Sequence, residues 1–86
     1  MPMRGRVYAI NPQRGMVAIE TENYGFTIIE LLSDEDIELG DEMNWANDTG
    51  MGSETYHNRT KNQKMDVFVQ NHWVSKNQLR QQLLVD

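Results

Sequence analysis

The side chains most able to do chemistry in this chain are cations and aromatic rings. Arg6 and Tyr8 alternate in one short stretch, and Arg14 sits a few residues on in a turn. Arg59, Lys61 and Lys64 follow a polar segment, and Phe68 lies just beyond them between Asp66 and Gln70. Guanidinium and ammonium groups contact phosphates, and exposed rings stack on bases. Arg6, Tyr8, Arg14, Arg59, Lys61, Lys64 and Phe68 are therefore the candidate residues for binding a single strand of RNA or DNA. Tyr24, Phe26 and Tyr56 are further candidate stackers. No catalytic constellation accompanies them. His57 and His72 are 15 residues apart, whereas a metal site needs three or four convergent ligands. Ser33 and Ser53 have no paired base in sequence, and the acids from Asp34 to Glu42 lack calcium-loop spacing. The expectation is a non-enzymatic protein with no metal and no cofactor.

Such residues need a scaffold, and the patterning supplies a β one. Val7–Ile10 and Met16–Ile19 are short apolar runs flanking Asn-Pro-Gln-Arg-Gly, which reads as a hairpin with Arg14 at its tip. Strands are predicted at residues 6–10, 15–21, 26–32, 42–46 and 65–71. Ser33 is a possible cap for one acidic helical turn. Residues 47–64 are too long for a structureless loop in so small a domain, so a strand is expected to begin within Glu54–Asn58, with a turn near Lys61–Gln63. A helix is predicted over 76–84. Ser75 and Gln78 fit a capping box, Val74 and Leu79 a hydrophobic staple, and Leu79 and Leu83 share a face.

The fold class that follows is all-β: a single domain over 1–86, a five-stranded, mostly antiparallel small barrel with a short C-terminal helix. The core is predicted to hold Val7, Val17, Ile19, Ile29, Leu31, Trp45, Val67, Val69 and Leu79. Met16, Ala18 and Glu20 form the less apolar face of the second strand and are expected at solvent.

Two stretches resemble the nucleic-acid motifs of the cold-shock domain, an oligonucleotide-binding barrel. Asn11, Pro12, Arg14, Gly15 and Ile19 match its first motif, although Ala9, Ile10, Met16 and Ala18 stand where the family has aromatics. Asp66-Val67-Phe68-Val69 resembles the second, with Gln70 in place of the usual His. The resemblance implies an oligonucleotide-binding barrel and a nucleic-acid ligand.

Charge bears on the partner. The net charge is −5, which argues against a phosphate polymer taken alone. Its distribution is uneven, because all the Lys and Arg lie before residue 20 or after residue 54 and most acids lie between. Two basic ends that met in the fold would make a basic strip; acid on the same face would suit a protein partner instead. The alternative is thus a protein-interaction or assembly module using the acidic surface, a free barrel edge or the terminal helix, and apolar Leu83-Leu84-Val85 leaves a homodimer open. No apolar run reaches the roughly 20 residues of a membrane helix. There is no Cys, and Met1–Arg14 has no apolar segment of signal-peptide type, so the expected location is cytoplasmic.

Overall fold

In a computed structural model, which describes residues 3–22, 25–32, 36–47 and 50–84, the strand segments close into one barrel. The strands are β1 (Met3–Asn11), β2 (Met16–Thr21), β3 (Phe26–Leu31), β4 (Glu42–Trp45), β5 (Gly52–Asn58) and β6 (Gln63–Val74). Their order round the barrel is β1-β2-β3-β6-β5-β4, and each neighbouring pair is antiparallel. The fold class is as expected, but the barrel has six strands where five were counted. The additional one is β5, which fills the long polar segment, where a strand was expected to begin at Glu54–Asn58. Its sequence gives little apolar signal because only Tyr56 is a large apolar residue in it.

Alternation places one set of side chains inside. Val7, Val17, Ile19, Ile29, Met43, Trp45, Tyr56, Met65, Val67 and Val69 form the interior, with Leu31 half-buried against them. Val7 and Ile19 are directly paired, as are Val17 and Ile29, and Ile29 and Val69, so these strands present the same face to the centre. Gly5 is what lets β1 coil this tightly. A Cβ there would collide with the Glu20 carbonyl oxygen and lie 2.8 Å from Ile19 Cγ2.

A second apolar layer lies outside the barrel, and it corrects two expectations. Met16 and Ala18 are not at solvent. They are buried with Phe26, Ile28, Val74, Leu79 and Leu83. The cover is the C-terminal segment, a 3-10 turn at Lys76–Gln78 running into α1 (Leu79–Gln82). Leu79 is buried as expected, but in this outer layer. The helical region is also shorter than 76–84, and Ser75 does not cap it: its hydroxyl donates to Asn77 Oδ1 at 2.6 Å. Tertiary anchors hold this short helix. Leu79 and Leu83 face the sheet, and Asn11 Nδ2 donates to the Leu83 carbonyl at 2.7 Å.

Register shifts explain how β6 serves both layers. Its pairing with β3 slips between Phe26 and Ile28 and again between Ile28 and Ile29. Met65, Val67 and Val69 consequently point inward, whereas Val74 joins the outer layer beside Leu79. Between them His72 is buried. Its Nε2 lies 2.8 Å from the Gly50 carbonyl, which only accepts, so Nε2 donates; Nδ1 lies 3.0 Å from the Thr27 hydroxyl. His72 is thus a structural tie between β6, β3 and the segment before β5.

Candidate nucleic-acid interface

Phe68 points outward because its neighbours Val67 and Val69 point in. Phe68 is 40% exposed. It is paired across the sheet with Glu30 on β3 and Ser53 on β5, so all three occupy the outer surface. Glu30 is in turn paired with Met16 on β2, and Gly15, next to Arg14, accepts from the Leu31 N–H at 2.8 Å. The β1–β2 turn therefore stands at the end of β3 where Glu30 and Phe68 lie. Gly15 adopts φ +65° to make that turn, and the Arg14 N–H donates to the Asn11 carbonyl at 3.2 Å. Arg14 is left exposed at the tip.

The space between this turn, the sheet and the end of α1 is a groove of about 490 Å³. Met16 lies beneath it, and Arg14, Glu30, Gln70, Gln82 and Leu84 contribute to its walls. Gln70 Nε2 donates to Glu30 Oε1 at 3.1 Å, which orients the carboxylate. Lys64 lies further along the outer face of β6, paired with His57. Among the described residues neither Arg14 nor Lys64 forms an ion pair.

The other candidates go elsewhere. Tyr8 sits at a bulge in β1, its ring edge-on to Phe26 at 5.0 Å and under the Lys76 ammonium at 5.5 Å. The C-terminal segment packs over β2 and β3, between β1 and β6, so Tyr8 and Phe68 do not share a surface. Arg6 and Arg59 line a different groove with Arg4, of about 670 Å³, where Glu20, Glu22 and Glu42 balance them. Arg6 Nη2 lies 3.4 Å from Glu42 Oε1 and Arg4 Nε 3.9 Å from Glu22 Oε1. Phe26 and Tyr56 are buried, so neither ring is open to a base. Tyr24 and Ser33 lie outside the described residues.

Lys61 is already engaged. Its side chain is 19% exposed, with Nζ 2.6 Å from Glu38 Oε1 and 3.5 Å from Asp41 Oδ2. The hydrogen bond to Glu38 and the nearby carboxylates hold its pKa above the usual lysine value, against a smaller desolvation effect. Asp41 is buried, which by itself would raise its pKa. Hydrogen bonds from Asn58 Nδ2 at 2.9 Å and the Glu38 N–H at 3.0 Å, with the Lys61 charge, outweigh that and hold it below the usual carboxylate range. Asn58, buried, also accepts from the Lys61 N–H at 3.1 Å. This network fastens the β5–β6 hairpin to the segment leading into β4.

Inside the barrel, Trp45 and Tyr56 stack in parallel with centroids 4.8 Å apart. The Trp45 Nε1 and Tyr56 hydroxyl are buried without a hydrogen-bond partner among the described residues, and burial pushes the tyrosine pKa up. Among the described residues there is no group of three or more His, Asp or Glu that could hold a metal, and no helix is long and apolar enough to cross a membrane.

Comparison with family models, curated proteins and solved structures finds no match. The geometry therefore stands by itself. It brings Arg14 and Phe68 to one surface around Glu30, with Lys64 along the same strand. Sequence reasoning missed Glu30 and Gln82, whose side chains carry no motif, and met Gln70 only as a departure from one. The proximity of the three depends on the β3–β6 register and on where α1 docks.

Proposed function

We propose that this barrel is a non-enzymatic module of oligonucleotide-binding type that holds single-stranded nucleic acid on the outer face of β3 and β6. The observation that carries the reading is an exposed Phe68 paired with Glu30 at a polar groove, with Arg14, in no ion pair among the described residues, at its rim. A ring on a sheet surface is a stacking platform, and a cation a short way off can take the adjoining phosphate. Lys64 supplies a second cation. Two phosphate contacts correspond to a salt slope of only about −1.4 for a single strand, so binding is weak and mildly salt-dependent. The net charge of −5 limits affinity in the same direction. A cytoplasmic location fits a cysteine-free chain of this kind.

Fluorescence titration of short mixed-sequence RNA and DNA at two salt concentrations tests this. Arg14→Ala is expected to weaken binding to all sequences and reduce the salt slope by about one phosphate contact. Phe68→Ala is expected to cost about 1–3 kcal/mol with little change in slope, because stacking releases few counterions. No binding by the unmodified protein at ~100 µM in low salt removes the nucleic-acid reading, since weak non-specific binding already reaches that range.

A second reading has one observation of its own. Glu30 and Asp66 stand beside Phe68, so the face is not a continuous basic strip. An aromatic anchor within a polar rim also suits a protein partner. That partner would dock on the Phe68 face. The closed barrel, with Leu79 and Leu83 turned onto it, favours that face over a free edge or the helix's apolar side for this reading.

A further inference from the structure

We propose that the groove beside Phe68 reads one base of the bound strand and selects guanine, with Glu30 as the group that discriminates. The inference rests on the nucleic-acid reading above and goes further by naming the base and the reading residue.

Glu30 and Phe68 are directly paired on the same face. The side chains of such a pair start about 5 Å apart, so a base leaning on the Phe68 ring can turn its edge toward the Glu30 carboxylate. A carboxylate only accepts hydrogen bonds. Gln70 takes one lone pair of Oε1, and Glu30 lines the groove with further acceptor sites on its carboxylate. Guanine presents two adjacent donors, N1–H and the 2-amino group, on its Watson–Crick edge. Those two donors match the two oxygens of one carboxylate. Uracil sets its N3–H between two carbonyl oxygens, and adenine and cytosine each place a ring-nitrogen lone pair beside their amino group. Every base except guanine therefore opposes a lone pair to Glu30.

The other walls agree with this. Met16, buried beneath the groove, offers apolar contact to a base plane. Arg14 at the rim remains available to the phosphate. Gln82, half-buried at the end of α1, brings a carboxamide to the same space. The volume, about 490 Å³, falls within the range of small-ligand sites. This also gives the C-terminal segment a role beyond covering β2 and β3, because it forms one wall of the pocket.

The test uses the full chain and three fluorescein-labelled RNA oligonucleotides: oligo-U, the same with one central G, and the same with inosine at that position. The G-containing RNA is expected to bind about tenfold more tightly than oligo-U, the discrimination one bidentate contact to a base supplies. Inosine lacks the 2-amino group and is expected to lose most of that gain. In Glu30→Gln the ratio of G to U affinities is expected to fall close to one. A purely electrostatic role for Glu30 would change both affinities together and leave the ratio unaltered. Equal binding of all three RNAs by the unmodified protein overturns the pocket while the nucleic-acid reading stands, as does an unchanged ratio in Glu30→Gln. Failure to bind any of the three overturns both. The inosine comparison needs no variant, so it does not depend on how Glu30→Gln folds.

Discussion

Replacing Asp41 by Asn isolates what its charge does for the fold. The substitution keeps size and shape and leaves an oxygen able to accept from Asn58 Nδ2 and the Glu38 N–H, now 2.9 and 3.0 Å from Asp41 Oδ2. Hydrogen bonds to a charged acceptor contribute about 1 kcal/mol more than those to a neutral one, so two of them amount to about 2 kcal/mol at neutral pH. The Lys61 contact at 3.5 Å adds modestly, since the ammonium meets solvent. The sign of the pH dependence follows from the depressed pKa of Asp41. Its contribution is fully present above the ordinary carboxylate value of about 3.9 and is lost as pH falls through the lower folded value. Urea denaturation of both proteins is therefore expected to show Asp41→Asn less stable by about 2 kcal/mol at pH 7, with the gap closing as pH falls below the ordinary carboxylate value. A gap under ~0.5 kcal/mol at pH 7, or one that stays the same size as pH falls, would refute the assignment of stability to this buried charge.

Two more substitutions address the barrel interior. Val67 is fully buried, and Val67→Ala is expected to cost about 1–3 kcal/mol through lost burial and an imperfectly collapsed gap; an unmoved denaturation midpoint would place it outside the core. Tyr56→Phe removes a buried hydroxyl that has no partner among the described residues, so stability is expected to hold or rise by up to ~1 kcal/mol, and a loss of more than ~1 kcal/mol in thermal or urea unfolding would show that the hydroxyl is satisfied.

The strands with strong alternation were legible before any coordinates. Val7, Val17, Ile19, Ile29, Trp45, Val67 and Val69 could be assigned to the core because a period of two in a half-buried strand is a local property of the chain. The same period put Phe68 outside, between Val67 and Val69, and the Asn-Pro and Gly residues marked the turn that exposes Arg14. The all-β class followed from those local signals. β5 was harder, because a strand whose residues are mostly polar is stabilised by its ladders to β4 and β6 and carries little pattern of its own. Met16 and Ala18 looked like a solvent face for a related reason. Their cover comes from Leu79 and Leu83, more than 60 residues away, and nothing near them in sequence records it. The candidate site divides along the same line. Residue type and strand phase indicated which side chains could bind. Barrel closure, the β3–β6 register and the docking of α1 decided that Arg14 and Phe68 meet at Glu30, that Tyr8 lies on the far side of the C-terminal segment, and that Lys61 is held by Glu38 and Asp41. Those are long-range contacts, and they depend on which surfaces the whole chain buries together rather than on any one stretch.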